Sequence, residues 1–208
     1  MAWRATKLAG IPPARPELGD TLILAIWTTQ RVRTVLGLTE ANVAGARLRI
    51  KPEKTAKRTG RKVDMPMKGP LPARLEAARA RKAARGLVHP YLIAHPTERG
   101  PYVQKTHGKH FRAARALAAR FAPSLLGEGK DPWGDAITPF TFEDCRDTGI
   151  TRLFRAGASA EQVAAWSGHK DVNALRALAD SYISLDAEIA DQGGDLLDAY
   201  TERKGLII

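Results

Sequence analysis

Leu22, Ile23, Ile26 and Trp27 gather on one side of a helical spacing, so the pattern predicts a helix capped by Asp20 and running to about Thr29. Val32, Val35, Leu36 and Leu38 continue that spacing beyond Arg31. The period then changes. Ala46-Arg47-Leu48-Arg49-Ile50 alternates strictly, and Lys62-Val63-Asp64-Met65-Pro66 is a second short run. The two flank a polar stretch ending in Gly60, which predicts a hairpin with a long loop. Pro70 or Pro72 opens a helix to Arg85, stopped by Gly86. Tyr91-Leu92-Ile93-Ala94 is a candidate third strand, and Thr106 caps a helix of about 15 residues reaching Phe121. Residues 123–139, with Pro and Gly at both ends, read as a loop. Thr141 caps a helix ending near Gly157, Ser159 and Gln162 form a capping box for one ending at Gly168, Asp171 caps another through Tyr182, and Asp186 starts the last, through about Tyr200.

These elements describe a mainly α domain with one small antiparallel β-sheet, an α+β architecture. The expected divisions are an N-terminal arm over 1–19, rich in Pro and Gly, a domain over 20–200 and a tail over 201–208. A chain of 208 residues is long enough to bury a real core, and 44% hydrophobic with 26% charged residues excludes wholesale disorder. No apolar run reaches 18 residues and residues 1–25 do not read as a signal peptide, so no membrane association and a cytoplasmic setting are expected. The single cysteine, Cys145, excludes an internal disulfide framework and a multi-cysteine zinc site.

Charge changes the picture more than composition does. The formal net charge is +11, but residues 1–130 hold 26 basic and 8 acidic residues, a net of +18, while residues 131–208 hold 7 and 14, a net of −7. A surplus of that size repels itself in a compact state and points to a polyanion as partner, nucleic acid being the commonest. Its densest part is the hairpin loop, where Lys51, Lys54, Lys57, Arg58, Arg61 and Lys62 fall within 12 residues against Glu53 alone. A basic hairpin tip can reach a phosphate backbone. Lys105, His107 and Lys109 on the helix capped by Thr106 are expected to face DNA or solvent with it.

Candidate chemistry lies in the second half. Phe142, Cys145, Gly149, Ile150 and Leu153 form an apolar stripe with Arg146 at its edge, and a partly buried arginine needs a carboxylate, phosphate or carbonyl partner. Ser167-Gly168-His169 sets a histidine on a tight turn, and Tyr182 follows 13 residues later. Each signal alone has a structural explanation: a salt bridge, a turn histidine, a packed tyrosine.

In this order, however, the chain resembles the catalytic domain of the tyrosine recombinases, or phage integrases, over roughly residues 19–200. Thr28-Thr29-Gln30-Arg31 followed by Val35-Leu36-Gly37-Leu38 is similar to the family's segment around its first catalytic arginine. Lys54-Thr55, closed by Val63-Asp64-Met65-Pro66, is similar to its lysine-bearing β-turn, with Lys57 competing for the lysine role. Phe142-Glu143-Asp144-Cys145-Arg146-Asp147-Thr148 is similar to its His-x-x-Arg box, with Glu143 where the family has histidine. Gly168-His169 matches its Gly-His pair, and Tyr182 falls where the nucleophile belongs. Tyr182-Ile183-Ser184-Leu185-Asp186 resembles a subgroup of alphaproteobacterial phage-like integrases.

The resemblance implies attack by the Tyr182 hydroxyl on a scissile phosphate of double-stranded DNA, giving a 3′-phosphotyrosine and a free 5′-hydroxyl. Arg31 and Arg146 would grip the non-bridging oxygens, His169 would hydrogen-bond the phosphate or help remove the tyrosine proton, and the hairpin lysine would protonate the leaving oxygen. No metal or cofactor is required by that scheme. It further implies a homotetramer on DNA, with a monomer as the DNA-free form, and an N-terminal DNA-clamping domain of which only the arm before residue 20 would be present, as in an excised or truncated catalytic domain. The alternatives are a degenerate protein of the same fold that binds DNA without cutting it, a helix-turn-helix reader built on residues 159–182, and a structural or RNA-associated basic protein. The second is weakened by the scarcity of basic residues on its recognition helix, where only Lys170 and Arg176 lie near.

Overall fold

The computed structural model describes residues 15–51 and 62–183, with the side chains of 178 and 180–183 outside the description. Most of the expected arm, the hairpin tip with Lys54, Lys57, Arg58 and Arg61, and everything from Ser184 onward, including the helix expected at Asp186, lie outside the described residues.

Helix α1 spans Pro16–Thr28 and begins four residues before the expected Asp20 cap. Proline suits the first helical position, where its fixed φ is already helical and its missing N–H is not needed. Asp20 therefore sits inside the helix, almost fully buried, where Arg81 donates to its carboxylate and Arg74 lies 3.6 Å away. Thr29 ends α1 in the left-handed region at φ 54°, rare for a β-branched residue. Arg31, in extended conformation, starts the short helix α2, Val32–Leu36.

A 3₁₀ turn over Glu40–Asn42 leads into a three-stranded antiparallel sheet in the order β1 (Val43–Ala44), β2 (Arg47–Ile50), β3 (Val63–Pro66). The expected hairpin is β2–β3, with Leu48 opposite Met65 and Ile50 opposite Val63. All four of those side chains are buried, while Arg47 and Arg49 turn outward to Asp64 at 2.6 and 3.4 Å. Two residues of β1 are too few to show a period.

Helix α3 spans Leu71–Ala84 and stops before Gly86, at φ 59°. The expected strand over 91–94 does not form: Tyr91 makes one isolated bridge to Thr39 and Ala94 one to Pro101. Leu92 and Ile93 are neighbours and both buried, and Pro90 and Pro96 bracket the segment, so it is core filler in an irregular chain. Helix α4 spans Gln104–Ala118, starting before Thr106 and leaving Phe121, expected inside it, exposed. The 123–139 loop holds one 3₁₀ turn, Pro123–Leu126.

Three helices complete the described chain: α5 (Asp144–Arg155), α6 (Ala160–Ser167) and α7 (Val172–Ile183). The Ser159–Gln162 capping box opens α6 as expected, and Asp171 accepts from the Ala174 N–H at the start of α7. Buried side chains form two clusters. The larger joins α1 and α2 to the sheet and α3, and includes Leu24, Leu48, Leu71 and Phe142. The smaller, Ile150, Phe154, Val163 and Leu175 among others, lies between α5, α6 and α7. Helix α5 belongs to both, with Cys145 in the first and Ile150 in the second. Arg146 lies at that seam.

Candidate functional site

The seam is drawn tight by Gly149. A Cβ there would lie 2.1 Å from the Ile26 carbonyl oxygen and 2.9 Å from Thr29 Cγ2, so α5 crosses the end of α1 at backbone contact. Arg146, one turn earlier on α5, is thereby set beside the α1–α2 turn that carries Arg31. The second half of the clamp comes from α6. Trp166 Nε1 donates to the Trp27 carbonyl at 2.9 Å, and the buried Gln30 amide donates to the Thr28 carbonyl at 3.1 Å and to the Ser167 carbonyl at 3.2 Å. The residue before Arg31 thus holds the turn that carries His169.

The structure brings Arg146 and His169 into contact from separate elements and sets Arg31 within electrostatic reach of Arg146. Arg146 Nη2 lies 3.0 Å from His169 Nε2 and 3.2 Å from Nδ1. Burial pushes the Arg146 guanidinium down to a pKa of about 10, and the positive charge of Arg31 adds to that shift. Asp147 stands at the rim. Its carboxyl is raised by desolvation and by Asp144 and Glu143, with Arg146 and Arg31 pulling the other way. Among the described residues, neither Arg31 nor Arg146 has a carboxylate within 4 Å. Arg146 is half-buried and Arg31 exposed; their like charges repel, and an anion bound between them relieves the repulsion. Each can offer two parallel N–H donors to adjacent oxygens, the geometry that suits phosphate.

Glu143 is exposed at the N-cap position of α5, one turn before Arg146, and its side chain makes no capping bond there. Tyr182 lies in the last turn of α7, and its side chain is outside the description. Lys54, Lys57, Arg58 and Arg61 lie outside the described residues. Lys51 and Lys62, at the base of the hairpin, are exposed and with Arg33 and Arg49 line a cleft of about 680 Å³ between α2 and the sheet. Lys105 and Lys109 are exposed on α4.

His107 corrects the expectation that it faces DNA or solvent. It is 1% exposed, its Nε2 lies 2.9 Å from Thr21 Oγ1, and its ring meets Phe142 edge-on at 4.7 Å. The Thr21 hydroxyl is committed to the Leu18 carbonyl at 2.7 Å, so the imidazole N–H donates to it. Burial and His110 push the His107 pKa down to about 4. The signal was present in the chain: His107, Phe111 and Ala114 recur at helical spacing on one face. His110 likewise turns inward, 2.6 Å from the Tyr102 hydroxyl. Gln30 and Ser167, by contrast, were not singled out from the sequence, because their contact joins positions 137 residues apart.

No family model matches the chain, and no curated protein matches it. Solved structures do. The lambda integrase (75–356) dimer bound to a COC′ core site is 21% identical with a TM-score of 0.57, covering 82% of this chain and 53% of its own. The Tn1549 transposon integrase (82–397) in complex with circular intermediate DNA is 15% identical with a TM-score of 0.61, covering 89% and 61%. The lambda integrase catalytic core is 24% identical with a TM-score of 0.52, covering 76% and 86%. The first two matches extend well beyond this chain, which spans little more than half of each. The fold, mostly helical with a small antiparallel sheet, is that of a tyrosine recombinase catalytic domain. Among the described residues no helix is long and apolar enough to cross a membrane.

Proposed function

We propose that this domain breaks and rejoins DNA strands through a covalent 3′-phosphotyrosine intermediate, as a site-specific recombinase or integrase. One observation carries the reading: His169 lies 3.0 Å from Arg146, Arg31 is within electrostatic reach of Arg146, and no carboxylate among the described residues lies within 4 Å of either arginine. In this scheme the two arginines bind the non-bridging oxygens of a scissile phosphate, where charge builds as a fifth oxygen bonds to phosphorus. Tyr182 is the nucleophile. Its hydroxyl has an ordinary pKa of about 10, so its proton must be removed during attack, and His169 is placed to take part. The bond formed is Tyr182 O–P and the bond broken is P–O5′. Lys54, or Lys57, supplies the proton that the leaving 5′-oxygen takes up. Glu143 replaces the family's histidine as a hydrogen-bonding group at the rim.

The partner is double-stranded DNA, gripped by the basic hairpin with Lys51, Lys57, Arg58, Arg61 and Lys62 and by Lys105 and Lys109 on α4. The same proposal extends to a homotetramer on DNA, to a cytoplasmic site of action, and to kinship with phage-like integrases of alphaproteobacteria. The likeness of the fold to integrases solved with DNA, including a lambda integrase tetramer bound to a Holliday junction, supports it.

The test is covalent capture. A pool of nicked duplexes of randomised sequence is incubated with the protein, and adducts that survive detergent and heat are isolated and sequenced. An adduct enriched for one sequence and lost in Arg146→Ala supports the reading. Salt-sensitive binding with no adduct from any sequence gives the binding-only alternative instead.

A further inference from the structure

We infer that Thr29 is a positioning residue: its side chain locks the turn between α1 and α2 and so fixes where the Arg31 guanidinium can reach. The consequence rests on the recombinase reading of Arg31, while the turn itself stands apart from that reading.

The backbone carries the first observation. Thr29 holds φ 54° and ψ 28°, and among the described residues it is the one non-glycine with positive φ. A β-branched residue is a poor choice for that region, because its crowded Cβ meets the neighbouring carbonyl, whereas glycine enters it freely. Elsewhere the described chain uses glycine for the purpose, as at Gly86 after α3 and Gly168 after α6. Strain of this kind persists only where the surroundings over-determine it, and it gathers at functional sites.

The surroundings carry the second. Thr29 is 1% exposed. Its hydroxyl donates at 2.6 Å to the Thr28 carbonyl, one of the oxygens left over at the end of α1. The Gln30 amide donates to the same oxygen at 3.1 Å. The Thr29 methyl stands over Gly149, where a Cβ would lie 2.9 Å from Cγ2. The two positions are complementary: α5 omits a side chain where the end of α1 supplies a methyl. Glycine at position 29 would take the same φ and make neither contact.

The turn decides the placing of the next two residues. With Thr29 in the right-handed region, α1 would run on into α2 as one helix, with Gln30 and Arg31 carried round its surface. The left-handed step breaks that helix. Gln30 then goes inward, 1% exposed, to the Ser167 carbonyl at 3.2 Å. Arg31, extended at φ −65° and ψ 153°, comes out exposed at the start of α2. A long arginine side chain loses freedom when it grips an anion, and a fixed backbone beneath it lowers that cost.

The first readout is the turn. Thermal melting compares Thr29→Gly with Thr29→Ala, both of which lack the hydroxyl and the methyl. At an ordinary position the alanine variant is the more stable, and at a left-handed one the glycine variant is. Thr29→Gly is expected to melt about 2–4 °C above Thr29→Ala. The second readout is the reach of Arg31. Inorganic phosphate is titrated into protein labelled with ¹⁵N in arginine, and the Arg31 Nε–H signal is identified as the one missing from Arg31→Lys. Thr29→Gly is expected to bind phosphate there more weakly, on the order of fivefold, and Thr29→Ser, which keeps the hydroxyl, to recover most of the loss. On captured DNA the adduct rate is expected to fall on the order of tenfold in Thr29→Gly while duplex affinity stays within about twofold.

Thr29→Ala melting as high as Thr29→Gly, or phosphate held equally by Thr29→Gly and wild type, overturns the proposal. A wild-type Arg31 signal that does not respond to phosphate overturns the recombinase reading of Arg31 and the proposal with it. A wild type that binds phosphate at Arg31 and forms no adduct overturns strand cleavage alone, and the phosphate titration then decides Thr29. Should Thr29→Gly not fold, Thr29→Asn, which tolerates the left-handed region and lacks the methyl, takes its place in both measurements.

Discussion

Gly149 and Ile26 meet at a distance that no other residue at position 149 tolerates, since an added Cβ would fall 2.1 Å from the Ile26 carbonyl oxygen. The obstacle is backbone, which cannot rotate aside. Alanine in a helix interior gains about 1 kcal/mol over glycine in intrinsic propensity. Here that gain is outweighed, because overpacking of this kind costs typically about 1–3 kcal/mol and the overlap is severe. Gly149→Ala is expected to lower the melting temperature and to push α5 off α1, separating Arg146 from Arg31. Thermal unfolding checks the first effect. The second is checked by a loss of strand cleavage, at temperatures where the variant is folded, larger than destabilised core variants of equal melting temperature show.

The His107 ring ties acid stability to α4. Its folded pKa, about 4, is below the ordinary 6.5, so the folded state binds fewer protons than the unfolded chain between those values. Stability from this group is complete above the unfolded pKa and is lost as pH falls through the folded one. The depression corresponds to about 2 kcal/mol lost by pH 5 and about 3 kcal/mol by pH 4. Urea unfolding of wild type at pH 7 and pH 5 is expected to show that loss, and His107→Gln, which cannot take up a proton, is expected to show a smaller drop. Equal drops in the two proteins would mean that His107 titrates normally.

Much of this was legible along the chain, and the exceptions share a cause. The hairpin showed itself because Leu48 and Ile50 alternate with Arg47 and Arg49, and the start of α6 because Ser159 and Gln162 are three apart. Such signals are local. The segment 91–94 misled because β-rich composition was read without asking whether neighbours alternate; Leu92 and Ile93 both go inward. Asp20 misled because a good cap residue also makes a good buried partner for Arg81, and nothing near it announced α3. Arg31, Arg146 and His169 were found through resemblance to a family. Their support by Gln30, Ser167 and Gly149 depends on contacts between α1, α5 and α6 that no local pattern encodes.

The two arginines are expected to separate binding from chemistry. Arg146→Lys keeps a charge but loses the planar pair of donors, so cleavage should fall by roughly 10²–10³ while affinity for intact duplex changes little. Arg31→Lys should behave alike, and the double variant should lose less than the product of the two if, as proposed, both act on one phosphate. Single-turnover cleavage beside equilibrium binding reads this out. An affinity loss equal to the cleavage loss would place these arginines on the DNA backbone and away from the reacting phosphate.

Salt dependence probes the hairpin. Each phosphate neutralised contributes about 0.9 to the slope of log affinity against log salt on duplex DNA. Lys51 and Lys62 are exposed at the base of the hairpin, beside the cleft they line with Arg33 and Arg49. Replacing both by Gln is expected to flatten the slope by about 2 units. Replacing Lys54, Lys57 and Arg58 together is expected to flatten it by about 2 to 3. A slope unmoved by either set would show that the hairpin points away from DNA.

Tyr182→Phe is the sharpest test of the proposed chemistry, because phenylalanine keeps the ring and removes only the attacking oxygen. The adduct should vanish while duplex affinity stays within about twofold, the change expected when a hydroxyl outside the binding surface is deleted. Position supports the assignment. Tyr182 lies in the last turn of α7, 13 residues after His169, and α7 packs on α5 and α6, the two helices that carry Arg146 and lead to His169. The competitors are weaker. Tyr102 is buried at 1% exposure with its hydroxyl 2.6 Å from His110, and burial pushes its pKa up to about 12, the wrong direction for a nucleophile. Tyr91 precedes Arg146 and sits beside Thr39, on the side of the domain held by α3. Tyr200 follows His169 by 31 residues. Adducts captured from wild type and from Tyr182→Phe, Tyr200→Phe and Tyr91→Phe, each digested and mapped for the DNA-linked peptide, assign the oxygen directly. Linkage to a peptide containing Tyr200, persisting in Tyr182→Phe and lost in Tyr200→Phe, would move the nucleophile to the later tyrosine. It would leave the proposed roles of Arg31, Arg146 and His169 in place, because the phosphate they are proposed to bind does not depend on which hydroxyl reaches it.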